Sequence, residues 1–427
     1  MKMRLNLLFL VFLEEVWLVP GFIIYGPPLS DAEAGPGTPQ DQLPTMEEKA
    51  EGWLAASRQK LSHEISDFGF SLLRKISMRH EGNVLFSPLG LSFAMATLTL
   101  GASGSTRTQI LSGLGLQALN QTQTLPALFG QLRETLSHNW ELGLSQGSLA
   151  FIHKDVDVKE SFLNLSKRYF DTECVPMNFR NASQATGLMN QYINKETQGR
   201  IPKLFDEISP ETKLILVDYI LFKGNWLIPF DPFFTELDTF RLDKYKAVKV
   251  PMMYRTGMFA STFDKNFRCH ILKLPYRGNA TMLVIFTQRP DDYLALEDYL
   301  SADLVEAWLQ NMKTRKMEVF FPKFKLDQKY EMHKLLKQMG IQRIFSPWAD
   351  LSELSVTANL LVSTVLQRAM IEVDEKGTEA AAGTLSKIIA YSMPPIIKVN
   401  RPFHFMIYEE TSRMLLFLGR VVNPALL

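Results

Sequence analysis

Apolar residues recur at helical spacing at Ile65, Phe68, Gly69, Leu72, Leu73 and Ile76, which predicts an amphipathic helix. Asn83-Val84-Leu85-Phe86 reads as a short buried strand that ends at Ser87. A helix through Leu91–Leu100 begins there, because serine is a strong N-cap and Pro88 suits the first helical position. Leu149–His153 predicts a strand, and Met189–Ile201 predicts a helix that stops at Gly199. Leu214–Phe222 is an apolar strand broken by one charge, Asp218. Phe240–Met253, His270–Tyr276, Thr281–Thr287 and Met317–Leu326 read as strands joined by short turns. Glu331–Met339 reads as a helix that stops at Gly340.

One stretch departs from these patterns. Glu372–Arg401 begins strand-like, with Met370, Ile371 and Val373 before and within it. It then turns small: Gly377, Thr378, Ala380, Ala381, Ala382, Gly383 and Thr384, with Glu379 the one large side chain among them. Pro394-Pro395 closes it, since a double proline continues neither a helix nor a central strand. The alanines suit a helix, and residues this small also fit between existing strands. By pattern the segment is a surface loop or a functional one.

Length and charge narrow the class. The 427 residues contain no mid-chain linker, so one large domain, residues 53–427, is expected after an N-terminal tail. Residues 1–21 carry Lys2, Arg4 and the apolar run Leu5–Leu13, as a secretory signal does, although Glu14-Glu15 interrupts it. Residues 22–52 are rich in proline, glycine and acid and predict disorder. Sequons at Asn120, Asn164, Asn181 and Asn279 point together to a secreted, extracellular glycoprotein. A net charge of +1 argues against a general nucleic-acid surface. Two cysteines, Cys174 and Cys269, are too few for a disulfide framework and are expected as free thiols. No metal-ligand cluster, nucleophile elbow or phosphate-binding loop occurs; Lys376-Gly377-Thr378 lacks the upstream glycine of the last. An enzyme is therefore not expected.

The stretch Glu375-Lys376-Gly377-Thr378-Glu379-Ala380-Ala381-Ala382 resembles the hinge of a serpin reactive-centre loop, and Pro402-Phe403 and Phe417–Pro424 continue that family's pattern. The resemblance runs from about Asn83 to Pro424. It implies an α+β fold of three β-sheets with surrounding helices and an exposed reactive-centre loop at about residues 375–398. It also implies suicide inhibition. A serine protease attacks the loop and forms an acyl-enzyme, and the cleaved loop inserts as a new strand before deacylation. With Gly377 as the first residue, the family's spacing puts Tyr391 fifteenth, so the reactive bond is Tyr391–Ser392. Glu375, Gly377, Thr378 and Ala380–Ala382 are the implied hinge, where small side chains slide between strands. Ser87, Asn190, Trp226 and Gln367 are the implied gate of the central sheet, with two departures: many members carry serine in place of Gly90 and histidine in place of Gln367.

Ala390–Pro395 and Asp243–Lys246 further resemble a member of the family that acts in blood coagulation. That implies factor Xa as a target, with protein Z, calcium and phospholipid as assembly cofactors, and factor XIa without protein Z. Lys244, Tyr245 and Asp298 are the implied protein Z contacts; read locally, they are an ordinary charged turn and helix face. Tyr391 itself suits a hydrophobic specificity slot, whereas factor Xa prefers arginine, so a chymotrypsin-like target without cofactor stays open. A cofactor that holds both proteins together offsets a poor loop by raising effective concentration. A non-inhibitory hormone carrier is the other alternative, and the small hinge residues argue against it. Arg74, Lys75, Arg79 and His80, with Arg107 beyond, suit heparin or a solvated helix end equally.

Overall fold

The computed structural model describes residues 46–119, 124–357, 359–376 and 394–426. Contacts divide the chain into residues 1–49 and a compact unit of residues 50–427. Helix α1 spans Met46–Ser77, so helix begins inside the stretch expected to be a disordered tail. Strand β1 (Val84–Phe86) then leads into α2 (Pro88–Gly101), where the Ser87 side chain accepts the Gly90 amide as the sequence predicts. Next come α3 (Gly104–Gly113), α4 (Thr124–Ser137), β2 (Leu144–His153), α5 (Glu160–Phe170), β3 (Thr172–Met177) and α6 (Ala182–Glu196). Gln198 and Gly199, both with positive φ, follow α6.

Strand β4 occupies Leu214–Phe222 as expected. The expected strand Phe240–Met253 is instead two, β5 (Glu236–Arg241) and β6 (Ala247–Asp264), split by the charged turn between them. After β7 (Cys269–Pro275), β8 (Ala280–Thr287), α7 (Tyr293–Glu297) and α8 (Ala302–Gln310), the expected strand Met317–Leu326 also divides. It becomes β9 (Lys313–Pro322) and β10 (Phe324–Glu331), with Lys323 between. Helix α9 (Met332–Gln338) precedes Gly340, whose φ of +90° explains the stop. The chain ends through β11 (Thr364–Val373), β12 (Ile396–Lys398), β13 (Phe403–Glu409) and β14 (Met414–Val421).

By hydrogen bonding the strands among the described residues run together into two sheets, two of the expected three being joined through β6. One has nine strands in the order β1-β14-β13-β8-β7-β6-β9-β12, with β5 also on β6; the other has five, β10-β11-β4-β2-β3. The 18-residue β6 causes the merger. Its first third pairs with β5, its middle with β9 and its end with β7, so two groups of strands share one continuous backbone.

The central strand of the five-stranded sheet, β4, is buried on both faces. Phe151, Val217 and Tyr219 pack with Met189 and Ile193 of α6, while Leu216, Ile220 and Val365 join the larger core with Leu89 and Leu91 of α2. Burial on both faces is why β4 lacks the alternation of a half-exposed strand. Cys174 lies on β3 and Cys269 on β7, both as free thiols, and burial pushes Cys269 up to about 12.

Candidate functional site: the seam between β4 and β11

β4 and β11 are parallel neighbours, paired from Ile215–Thr364 to Phe222–Ile371. β11 runs straight into Asp374 and Glu375. A segment folding back from there would run antiparallel to both strands, and entering between them would part this pair. The implied hinge residues Gly377, Thr378 and Ala380–Ala382 and the bond Tyr391–Ser392 lie outside the described residues. Glu375 is described.

The top of the seam is tied by backbone and side chain. The Trp226 indole stacks on Tyr276 (centroids 4.0 Å apart, planes at 10°), and its N–H donates to the Asp374 carbonyl at 2.8 Å. The Phe230 amide donates to the Glu375 carbonyl at 3.2 Å. The Glu375 carboxylate pairs with Lys323 Nζ at 2.7 Å. Burial alone raises that carboxyl, but the hydrogen bond from Lys323 and its own amide outweigh burial and hold it below the usual range.

The middle of the seam is polar and closed. Gln367 Nε2 donates to Asp218 Oδ2 at 2.6 Å and to the Ser87 carbonyl at 2.9 Å, and Gln367 Oε1 accepts the Ser87 amide at 2.9 Å. Ser87 Oγ donates to the Leu416 carbonyl at 2.6 Å and accepts the Gly90 amide at 2.9 Å. Gln367 and Asp218 are direct partners across the seam. Burial pushes Asp218 up to about 7, against the opposing hydrogen bond from Gln367. Gly90 makes the room: a Cβ there would sit 2.3 Å from Asp218 Oδ2 and 2.9 Å from its Cγ. The departures at Gly90 and Gln367 are thus one arrangement built around the Asp218 carboxyl.

Asn190 is placed elsewhere. Its Oδ1 accepts the Leu204 and Phe205 amides at 2.8 and 2.9 Å, and its Nδ2 donates to the Phe205 carbonyl at 2.9 Å. No hydrogen bond among the described residues joins it to Gln367. The residue facing Gln367 is Asp218, which sequence reasoning left as a break in an apolar strand. An acid in an otherwise buried run was the signal available for it. Lys323 and Tyr276 carried no such signal, because each acts through a neighbour distant in sequence.

Other predicted residues scatter over the surface. Asp243 Oδ1 accepts the Tyr245 and Lys246 amides at 2.6 and 2.7 Å, which forms a tight turn, and Lys244 lies over the exposed Tyr245 ring at 5.3 Å. Asp298 is exposed at the C-terminal cap of α7, just past the helix. No hydrogen bond or ion pair among the described residues joins it to that turn. Asn164, Asn181 and Asn279 are exposed, while Asn120 lies outside the described residues. In the basic cluster, Arg74 donates to the Leu300 carbonyl at 3.1 Å and the Glu297 carbonyl at 3.4 Å, and His80 Nε2 meets the Asn83 carbonyl at 3.1 Å. Those two groups are engaged within the protein. No helix among the described residues is long and apolar enough to cross a membrane.

Comparison with known proteins places this geometry. A family described as Serpin (serine protease inhibitor) matches residues 63–424. The chain is 69% identical to human Protein Z-dependent protease inhibitor, with 100% of each chain covered. The crystal structure of the mouse protein-Z dependent protease inhibitor superposes with a TM-score of 0.83 at 71% identity, covering 88% of this chain and all of that one. Human thyroxine-binding globulin complexed with its hormone gives a TM-score of 0.79 at 33% identity, over 86% of this chain and 99% of that one.

Proposed function

The chain belongs to the serpin family of serine protease inhibitors, and on that premise we propose that it is a secreted, glycosylated suicide inhibitor of coagulation proteases that offers Tyr391–Ser392 as bait. Its targets are factor Xa, engaged with protein Z, calcium and phospholipid, and factor XIa. The observation that carries the reading is the seam. A small-residue run, Thr378–Thr384, begins beyond the end of β11, after Asp374–Gly377, and the parallel pairing of β11 with β4 offers a returning strand a place between them. The name of the human relative supports protein Z as the partner. Exposed Tyr245, Lys244 and Asp298 are its contacts. The N-terminal signal pattern and the exposed sequon asparagines support secretion. Lys75 and Arg79 at the end of α1 offer heparin a small basic surface.

The chemistry needs no catalytic group on this chain. The protease serine attacks the Tyr391 carbonyl and acylates, and Ser392 leaves with the new amine. Insertion between β4 and β11 then pulls the acyl bond out of register with the protease's own base before water cleaves it. The test is to mix the protein with factor Xa, with and without protein Z, calcium and anionic phospholipid vesicles. An SDS-stable complex that forms rapidly only in the full mixture supports the reading. Tyr391 favours a second reading, in which chymotrypsin-like proteases are trapped without cofactor. A complex with chymotrypsin alone would establish that reading and remove the coagulation targets.

A further inference from the structure

The turn after α7 sets a pair of exposed residues between buried ones. Leu296 and Glu297 are buried, Asp298 and Tyr299 face solvent, and Leu300 is buried again. Helix α7 is only the five residues Tyr293–Glu297, too few to be held in place by their own hydrogen bonds. The direction in which Asp298 points is therefore set by what grips its neighbours.

Two arginines grip them. Arg420 is fully buried, and its guanidinium is spent inside the protein. Nη1 donates to Glu297 Oε1 at 2.7 Å and to Ser77 Oγ at 2.9 Å. Nη2 donates to the His80 and Gly82 carbonyls at 2.6 and 3.0 Å, and Nε donates to the Gly82 carbonyl at 3.1 Å. The same Glu297 oxygen meets His404 Nε2 at 2.7 Å. An ion pair this deep loses about as much in desolvation as it gains in attraction, so its clear yield is geometry. It pins the last residue of α7 to the end of α1, to β13 and to β14.

Arg74, in the last turn of α1, grips the backbone instead. Its Nη1 donates to the Leu300 carbonyl at 3.1 Å and to the Glu297 carbonyl at 3.4 Å, while Nη2 donates to Ser71 Oγ at 3.0 Å. Those two carbonyls belong to the residues on either side of the exposed pair. One guanidinium thus spans the Asp298–Tyr299 turn, and its charge sits where the free carbonyls at a helix end favour a cation.

We infer that Arg74 is a positioning residue for protein Z, acting through Asp298: it clamps the turn so that the Asp298 carboxylate is held out towards the partner. The inference rests on the reading of Asp298 as a protein Z contact. It gives Arg74 a task other than the heparin surface that its place in a basic cluster suggests.

The test is equilibrium binding of the full chain to immobilised protein Z in calcium buffer, for the wild type, R74M, R74Q, D298A and the double variants R74M/D298A and R74Q/D298A. Methionine keeps the apolar stem and donates nothing. Glutamine keeps a polar tip too short to span both carbonyls, and it carries the test if R74M does not fold, as its melting temperature will show. The expected result is a Kd at least about 5-fold higher for the Arg74 variants and for D298A, with each double variant within about twofold of D298A, because the Arg74 change acts through a side chain already removed. Arg74 variants within about twofold of wild type while D298A is weakened overturn the proposal and leave Asp298 standing as a contact. An Arg74 change that costs the same factor again in the D298A background also overturns it, and assigns Arg74 its own contact with protein Z. D298A within about twofold of wild type removes Asp298 as a contact and the proposal with it. A wild type that does not bind protein Z overturns the partner reading and this proposal together.

Discussion

Replacing Asp218 with asparagine should stabilise the protein, and more so as pH rises. Asp218 is fully buried, and its carboxyl is raised from an ordinary 3.8 to about 7. A group whose pKa is higher in the folded state imposes no penalty below its unfolded pKa. It destabilises progressively as pH rises, and the penalty levels off above the folded pKa. From these two values the penalty is about 2 kcal/mol at pH 5.5 and about 4 kcal/mol at pH 8.5. Asparagine keeps the shape and can still accept from Gln367 Nε2, but it never ionises. Its cost is one amide N–H that needs a partner, about 1 kcal/mol and independent of pH. The assay is thermal unfolding of wild type and D218N at both pH values, at one scan rate. For a domain of this size about 4 kcal/mol corresponds to roughly 5 °C in melting temperature. The D218N advantage should grow by about half of that between pH 5.5 and pH 8.5. An advantage equal at the two pH values would refute the ionisation argument, and a lower melting temperature for D218N at both would show that the carboxyl is a net stabiliser.

Three further outcomes follow from the same geometry. Gly90→Ala drives a Cβ against the Asp218 carboxyl and should cost about 1–3 kcal/mol, read by urea unfolding; an unchanged midpoint would mean that Asp218 has another place to go. Lys323→Met leaves the Glu375 carboxylate without its 2.7 Å partner and should lower stability by about 1–3 kcal/mol. Because the Glu375 carboxyl is held below its usual range, that loss is present above pH 5 and fades as acid protonates the carboxylate in both proteins, which melts at pH 7.5 and pH 4 will separate. Tyr391→Arg should raise the rate of factor Xa capture without protein Z by at least about tenfold, since an arginine matches an acidic specificity slot; if the rate is unchanged, another bond is the bait.

Where one residue type carried the local physics, the fold could be read from sequence. The start of α2 follows from serine before proline, and the helix stop near Gly340 follows from a left-handed backbone position that glycine takes freely. β4 was legible because a strand buried on both faces is apolar along its length, here with Asp218 the one charge. Helices α3 and α5 were not read, because short helices of mixed polarity depend on packing partners far along the chain. The sheet partners were no more visible: Gln367 and Asp218 lie 149 residues apart, and no local pattern couples them. Asn190 is instructive in the same way. Its residue type suits a gate, while the hydrogen bonds of its amide run to the chain at Leu204 and Phe205.

The three heights of the seam are not equivalent, and their order bears on how it opens. At the top, the ties run to Asp374 and Glu375, residues that any movement of the adjoining loop displaces first. Below them, β4 and β11 are held by a parallel ladder whose side chains are mostly apolar on both faces. Those contacts would be remade if, as proposed, a new strand of small residues took the place between them. The Gln367–Asp218 pair is different. Its hydrogen bonds reach α2 through Ser87 and β14 through Leu416, so parting the strands there also disturbs the layer beneath the sheet. In the proposed mechanism the incoming Thr378–Thr384 strand would bring mostly small side chains, with little to replace those bonds. The polar pair is therefore the step that resists, and ionisation of Asp218 lowers that resistance by weakening the closed state. Resistance at the seam's centre and release at its top are properties of different residues, so substitutions at Asp218 and Lys323 should add rather than couple.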